Sequence, residues 1–314
     1  MNPMIVLPGG FAMVMGLVYG LLGLATVTGW SLARWRPTGD FGELRSRIRS
    51  WWGIVLTVTV VLNAPRPLAI GCLALLSLLA FREYLSLVGT RAADRRVVWW
   101  AMLAIPVQYF WVAVEWYGMF IIFIPVYAFL LMPVGMVLAG DTRDYLRAVG
   151  SLQWGLLGTV FALSHLAYLM VLPDGRYPGI GGVELVLYLL VLTELNDVAQ
   201  YCWGKWLGRH RVVPRVSPNK TWEGWLGGIL TTMTLSWLLA PYLTPLSGAD
   251  ALTSGLLISV AGFFGDLSIS ALKRDLGVKD SGSLLPGHGG ILDRLDSLCY
   301  TAPLFFHFCR YYYF

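Results

Sequence analysis

The sequence predicts an all-α polytopic membrane protein with about ten transmembrane helices and a polar cavity, facing the cytoplasm, in its C-terminal half. Hydrophobic residues make up 57% of the 314-residue chain and charged residues only 13%. An ordinary soluble domain carries about 25% charged residues. Apolar stretches also recur at lengths near the roughly 20 residues that one helical crossing requires.

Ten apolar segments are candidate spans. In chain order they are residues 5–30, 50–64, 67–88, 97–115, 117–138, 150–172, 182–203, 225–245, 251–272 and 290–312. No Lys or Arg precedes the first segment, so we expect a retained helix rather than a cleaved signal segment. The second segment is short, and Pro65-Arg66-Pro67 either forms a tight turn between two spans or breaks a re-entrant hairpin.

The distribution of basic residues tests this count, because short cytoplasmic loops carry the Lys and Arg excess. With ten spans and an outside N-terminus, the cytoplasmic loops are residues 31–50, 89–97, 139–149, 204–224 and 273–289. These loops hold 18 of the 23 Lys and Arg residues, whereas the opposite connections hold only Arg66 and Arg176. Nine spans, with the second misassigned, would reverse the side of the first loop.

Polar residues interrupt the predicted span 182–203. Glu194, Asn196, Asp197 and Gln200 lie within an otherwise apolar helix. Ionisable residues inside a span usually face a functional cavity, and the alternative is polar packing between helices. The segment therefore predicts a functional face that includes Asp197.

The basic loop 204–224 contains more than topology signals. Ser217 and Lys220 precede Thr221, which we expect to cap the following helix, and Gly224 favours a close backbone approach. Such a loop can hold phosphates with its cations and with backbone N–H groups.

The predicted spans that follow add carboxylates near the cytoplasmic end of the expected cavity. Asp266 and Lys273 lie on one helical face, and the helix is expected to continue to Lys279. Asp293 and Asp296, three residues apart, share a face at the start of the last span. Collected carboxylates, cations and glycine-rich loops suit a polyphosphate held with Mg²⁺, alone or with a second cation.

Other chemistries find little support. The chain has neither a Walker A sequence nor G-x-G-x-x-G, and its four Cys include no C-x-x-C pair. We therefore expect no soluble nucleotide-binding fold, no zinc site, no disulfide framework and no nucleic-acid partner.

The C-terminal half resembles the phosphatidate cytidylyltransferases, also called CDP-diacylglycerol synthases. The resemblance rests on one run of residues, Ser270-x-Leu272-Lys273-Arg274, four residues, Lys279-Asp280-x-Gly282, two residues, Leu285-Pro286-x-His288-Gly289-Gly290-Ile291-x-Asp293-Arg294-Leu295-Asp296. The loop from Ser217 to Gly224 and the segment from Asp197 to Lys205 resemble two further elements of that family.

The resemblance implies a CTP-dependent cytidylyl transfer to phosphatidate, with Mg²⁺, at the cytoplasmic face of an inner membrane. It implies a homodimer, with residues 1–180 as scaffold and dimer contacts and residues 181–314 as the catalytic region. Carried over residue by residue, the metal-linked carboxylates would be Asp266, Asp293 and Asp296. The remaining catalytic, phosphate-binding or nucleotide-binding residues would be Asp197, Ser217, Lys220, Thr221, Lys273, Arg274, Lys279, Asp280, His288, Gly289, Gly290 and Arg294.

One element departs from the family pattern. Where that pattern has small residues after the Asp, this chain has Val198 and Gln200, which suggests a side branch and leaves a lipid phosphate other than phosphatidate as an alternative acceptor. Two alternatives are weaker. A CDP-alcohol phosphatidyltransferase needs a D-G-x-x-A-R opening that is absent, and an ion-coupled transporter would be expected to have two similar halves.

Overall fold

Long helices dominate the structure, a computed structural model that describes residues 9–35, 41–172, 177, 180–282 and 289–314. In chain order the helices are α1 (Gly10–Trp35), α2 (Gly42–Asn63), α3 (Arg66–Val88), α4 (Arg95–Ala113), α5 (Tyr117–Leu138), α6 (Tyr145–Val171), α7 (Gly182–Leu207), α8 (Trp222–Leu243), α9 (Gly248–Asp275), the single turn α10 (Leu292–Leu295) and α11 (Leu298–Tyr312). Apolar segments become helices because a bilayer offers backbone N–H and C=O groups no partner but each other. The predicted all-α polytopic class is confirmed.

Seven helices among the described residues are long and apolar enough to cross a membrane, namely α1, α3, α4, α5, α6, α8 and α9. The other three long helices coincide with predicted spans but differ from them in detail. Helix α2 begins at Gly42, inside the expected loop 31–50, and carries Glu43 in its first turn. Helix α7 contains internal acids, and α11 has only 15 residues. Pro65 forms the turn between α2 and α3.

Helices α5 and α6 each contain a π-helical stretch, Phe123–Ala128 and Leu156–Phe161. Such stretches disturb the regular backbone bonding of a helix. Buried Gln153 of α6 supplies hydrogen bonds to the α5 backbone at its π-helical stretch. Its Nε2 donates to the carbonyl oxygens of Ala128 and Phe129 at 3.3 and 3.2 Å. The two helices are therefore joined by a polar contact at membrane depth.

One hydrophobic core extends through both halves of the chain. The buried ring of His165 on α6 lies edge-on to Phe120 of α5 and Phe306 of α11, with centroids 4.9 and 5.1 Å apart. On the other side of the core, the Tyr188 hydroxyl of α7 lies 2.8 Å from Ser254 Oγ of α9. The predicted division near residue 180 thus crosses a shared core, and the separate roles of its two parts stay a prediction. All four cysteines are free.

The expected loop 204–224 is largely a β-hairpin, which sequence reasoning did not predict. Strands β1 (Arg211–Val213) and β2 (Ser217–Thr221) are antiparallel, with Arg211 opposite Thr221. The predicted cap is confirmed, since Thr221 Oγ1 accepts a hydrogen bond from Gly224 N at 3.1 Å. The predicted close approach at Gly224 is also confirmed, because a Cβ there would lie 2.7 Å from the Gln200 carbonyl oxygen of α7.

Helix α9 ends at Asp275, so its predicted continuation to Lys279 is wrong. Gly277 has φ +71°, and the N–H groups of Gly277 and Val278 donate back to the carbonyls of Arg274 and Lys273 at 3.1 and 2.9 Å. This pattern is the Schellman motif that terminates many helices. The predicted turn before the last span, with Pro286, lies partly outside the described residues.

The last predicted span is present as α10 and α11 with an interruption between them. Asp296 and Ser297 separate the two helices, although both residues keep helical dihedral angles, with φ −55° and −65°. We call these two residues the α10–α11 junction. It brings an acidic side chain next to α7 and α9.

Candidate active site

Three carboxylates converge in the C-terminal half. Asp197 of α7, Asp266 of α9 and Asp296 of the α10–α11 junction lie close enough for their charges to interact. Ser297 links two of these elements, because its hydroxyl donates to Asp197 Oδ2 at 2.9 Å, while its backbone N–H donates to Asp296 Oδ1 at 2.7 Å. We call Asp197, Asp266 and Asp296 the acidic cluster.

Cations partly balance the acidic cluster. Lys220 Nζ lies 2.6 Å from Asp266 Oδ2, with only 16% of the lysine side chain exposed. Its ammonium also lies 4.7 Å from the centroid of the Phe263 ring. Arg294 interacts electrostatically with Asp197 and Asp296, and its buried Nε has no hydrogen-bond partner in the described part of the chain.

Local backbone structure sets these positions. Strand β2 delivers Lys220 to Asp266, and Arg274 Nε holds the hairpin by donating to the Val216 carbonyl oxygen at 3.3 Å. Gly265 allows the α10–α11 junction to reach α9, since a Cβ there would lie 2.6 Å from the Asp296 carbonyl oxygen. A larger residue at this position would push Asp296 away from its neighbour Asp266.

Asp293 belongs to a separate hydrogen-bond network. Its Oδ1 lies 2.6 Å from Lys273 Nζ, and its Oδ2 accepts from the N–H groups of Ser281 and Gly290 at 2.8 and 3.0 Å. Only 12% of the Lys273 side chain and 6% of the Asp293 side chain are exposed. The face that Asp293 and Asp296 were predicted to share therefore serves two different sets of partners.

Comparison with known proteins identifies the family to which the chain belongs. The model of the cytidylyltransferase family matches residues 45–312, which include the acidic cluster, both cations and the Asp293 network. The chain belongs to the cytidylyltransferase family.

Relatives define its place within the family. The uncharacterized protein YnbB of Escherichia coli K12 is 48% identical over 295 residues, covering 94% of this chain and 96% of its own. The phosphatidate cytidylyltransferase of Haemophilus influenzae is 40% identical over 40% of this chain and 46% of its own. That of Staphylococcus aureus COL is 42% identical over 48% of this chain and 59% of its own. The match to the uncharacterized protein spans nearly its whole length, whereas the matches to the two phosphatidate cytidylyltransferases span 46% and 59% of theirs, which is consistent with a divergent branch of the family.

The remaining predicted site residues of this cytidylyltransferase-family protein occupy varied positions. Lys279 and Asp280 are exposed beyond the end of α9, while Ser217 lies at the start of β2. Gly289, with φ +80°, and Gly290 adjoin the carboxylate of Asp293. Predicted His288 lies outside the described residues. The roles assigned to these residues stay predictions.

Sequence reasoning missed two contributors. Ser281 donates to Asp293, and Glu83 of α3 contacts Ser281, although Glu83 lies in the half that was expected to be scaffold. An acid within the apolar stretch around Glu83 was a usable signal, because ionisable residues in spans tend to be functional. Its distance along the chain from the motif-bearing segments hid the connection.

The acidic cluster fits a divalent cation in its chemistry. Among the described residues, no group of three His, Cys, Asp or Glu side chains is arranged to hold a metal ion by itself. However, Mg²⁺ is typically held by one or two carboxylates with phosphate oxygens and water. Asp197 Oδ1 is buried and has no hydrogen-bond partner among the residues that the structure describes, so this oxygen of the cluster can accept a cation or a donor.

Two cavities lie away from the acidic cluster. One of about 310 Å³ is bordered by Tyr84, Arg91 and Arg147 in the N-terminal half. Another of about 440 Å³ is bordered by Tyr117 and Arg310. The polar cavity expected in the C-terminal half stays a prediction, and the half-buried acidic cluster marks its expected position.

Proposed function

We propose that this protein transfers the cytidylyl group of CTP to a lipid phosphate in the membrane, by default phosphatidate. The products are CDP-diacylglycerol and pyrophosphate, which places the reaction in phospholipid biosynthesis. The observation that carries the proposal is the convergence of the acidic cluster with Lys220 and Arg294 in a chain of the cytidylyltransferase family.

The transfer needs no nucleophile from the protein. An oxygen of the lipid phosphate attacks the α-phosphorus of CTP and forms a new P–O bond. The bond from that phosphorus to the oxygen bridging to the β-phosphorus breaks, and pyrophosphate leaves with its electron pair. Such a step depends mainly on positioning and on electrostatic stabilisation of the transition state.

Residues near the cluster are suited to that task. Lys220 is held against Asp266 at 2.6 Å, so an incoming phosphate would compete with a carboxylate for its ammonium. Arg294 has a buried Nε donor that finds no partner within the described ranges of the chain. A bound Mg²⁺ would be held by oxygens of the acidic cluster and would supply Lewis-acid neutralisation of phosphate charge.

The geometry supports access to the acidic cluster both from the cytoplasm and from the lipid bilayer. Asp266 lies nine residues before the end of α9, which is about 14 Å at 1.5 Å per residue. Val198, 52% exposed, directly follows Asp197, and Phe264, 46% exposed, lies two residues before Asp266. Apolar surface beside the acids is what a lipid substrate needs. The Lys and Arg excess of the adjoining loops supports an inner-membrane protein whose site faces the cytoplasm.

A different lipid phosphate is the second candidate acceptor. Gln200 is buried, and its Nε2 has no hydrogen-bond partner among the described residues. An unsatisfied buried amide costs about 1–3 kcal/mol, so a substrate group that accepts its hydrogen bond would be favoured. Val198 and Gln200 stand where the family pattern has small residues, which leaves a lipid phosphate other than phosphatidate as the alternative acceptor. The homodimer remains part of the proposal.

The direct test uses purified protein, Mg²⁺ and CTP labelled at the α-phosphorus, with a panel of lipid phosphates that includes phosphatidate. We expect the label in CDP-lipid and unlabelled pyrophosphate in equal amount. Asp296→Asn should give neither product. Absence of CDP-lipid with every acceptor, while a phosphatidate cytidylyltransferase succeeds in parallel, would refute the proposal. Labelling of another lipid but not phosphatidate would select the second acceptor.

A further inference from the structure

Glu83 connects the N-terminal half of the chain to the segment that carries the site. This residue lies on α3, and its Oε1 accepts a hydrogen bond from Ser281 Oγ at 2.5 Å. The same carboxylate accepts from the backbone N–H groups of Ile291 and Leu292, each at 2.9 Å. No side chain near α10 in the described part of the sequence caps this helix, and an acid from a distant helix binds the N–H groups of Ile291, just before α10, and of Leu292, its first residue.

Two glycines show how closely this carboxylate is enclosed. A Cβ at Gly290 would lie 2.1 Å from Glu83 Oε1, and a Cβ at Gly282 would lie 3.0 Å from Glu83 Oε2. Only residues without a side chain leave room for the acid at these points. Gly282 and Gly290 therefore pack directly against Glu83, which argues against an incidental surface contact.

Hydrogen bonds connect Glu83 through Ser281 to Asp293. Ser281 donates its hydroxyl to Glu83 and its backbone N–H to Asp293 Oδ2 at 2.8 Å, and the Asp293 N–H in turn lies 3.2 Å from Ser281 Oγ. Asp293 is tied to Lys273 of α9. We call Glu83, Ser281 and Asp293, with the two N–H groups of α10, the Glu83 network.

We propose that Glu83 is a positioning residue, which holds α10 in place and so sets Arg294 and Asp296 relative to the acidic cluster. This inference rests on the proposed function. Arg294 lies within α10, and Asp296 follows it directly. Hydrogen bonds to a carboxylate are stronger than those between neutral groups. The catalytic half is thus completed by a residue of the half expected to be scaffold.

The test combines kinetics with a structural measurement that does not depend on turnover. Glu83→Gln removes the charge at constant size, and Glu83→Asp retains the charge but shortens the side chain. Glu43→Gln is the matched control, since Glu43 is 73% exposed and pairs only with Arg47 of its own helix among the described residues. Hydrogen–deuterium exchange of the peptide containing Ile291 and Leu292 reports directly on the bonds to Glu83.

We expect Glu83→Gln to lower kcat/KM for CTP about ten- to hundredfold, because small displacements of reacting groups have effects of that size. Glu83→Asp should recover part of the loss, and the exchange of residues 291 and 292 should be faster in Glu83→Gln than in the control Glu43→Gln, with Glu83→Asp between the two. Ser281→Ala added to Glu83→Gln should cost little more, because both changes break one network. This double variant separates positioning from a general loss of stability.

Each outcome decides one of the two proposals. Unchanged exchange at residues 291 and 292 in Glu83→Gln, or kinetics equal to those of Glu43→Gln, would overturn the positioning role. If Glu83→Gln fails to fold, Glu83→Asp carries the same measurements, because its shorter side chain also weakens the bonds to these two N–H groups. If the unaltered protein turns over no CTP, the proposed function fails, while the exchange experiment still tests the contact with α10.

Discussion

Replacing Gly265 by Ala should move Asp296 of the α10–α11 junction away from Asp266 of α9. A Cβ at this position would lie 2.6 Å from the Asp296 carbonyl oxygen and 3.1 Å from Ser297 Cα. Both are backbone atoms, so rotation of a side chain cannot relieve the clash. Reaching an ordinary contact of 3.4 Å requires α9 and the α10–α11 junction to part by about 0.8 Å.

A displacement of this size has two consequences. Overpacking a tight interface costs about 1–3 kcal/mol of unfolding free energy. A misplacement of about 1 Å can reduce the rate by about a hundredfold, because the reacting groups no longer meet in productive geometry. We therefore expect Gly265→Ala to fold with lower thermal stability and to lose most of its turnover.

Gly71→Ala is the matched control. Gly71 lies inside α3, and no described residue lies within 4 Å of the position that a Cβ would take there. The substitution should leave turnover unchanged and add up to about 1 kcal/mol of stability through helix propensity. Both variants are assayed for CDP-lipid formation and for thermal unfolding in detergent. Equal turnover in Gly265→Ala and Gly71→Ala would show that close contact at the junction does not set the geometry of the site.

Further variants separate the two networks. Asp296→Asn should remain folded and lose about a thousandfold in turnover, and turnover close to that of the unaltered protein would remove Asp296 from the site. Asp293→Asn should lower the unfolding free energy by about 3–5 kcal/mol, because it leaves Lys273 buried without its partner; thermal unfolding at an unchanged temperature would contradict this. Lys220→Met should raise KM for CTP about tenfold if Lys220 binds phosphate as proposed, as measured by CTP titration, and an unchanged KM would leave Lys220 only a partner of Asp266. Chelation with EDTA should abolish turnover and added Mg²⁺ restore it, whereas turnover that survives chelation would count against a Mg²⁺ requirement.

Several features were predictable from the sequence because they depend on neighbouring residues. The Thr221 cap and the close approach at Gly224 follow from local residue types and are confirmed. Asp197 was singled out because acids are rare in apolar segments, whereas Asp266, Asp293 and Asp296 were grouped as metal-linked carboxylates. The structure brings Asp197, Asp266 and Asp296 together and places Asp293 in a separate network. The spacing of Asp293 and Asp296 correctly suggested a shared helix end, but it did not reveal that their partners differ.

Composition by itself determined the all-α membrane class and most of the helices, because a bilayer leaves the backbone no hydrogen-bond partner outside its own segment. Tertiary structure alone decided which helices meet. Glu83 and Ile291 are 208 residues apart in the chain and 2.9 Å apart in space. Lipid tails are as apolar as leucine, so helix contacts depend on small residues and polar pairs rather than on hydrophobicity. Those pairings follow from the three-dimensional packing, which the order of residues along one helix does not reveal.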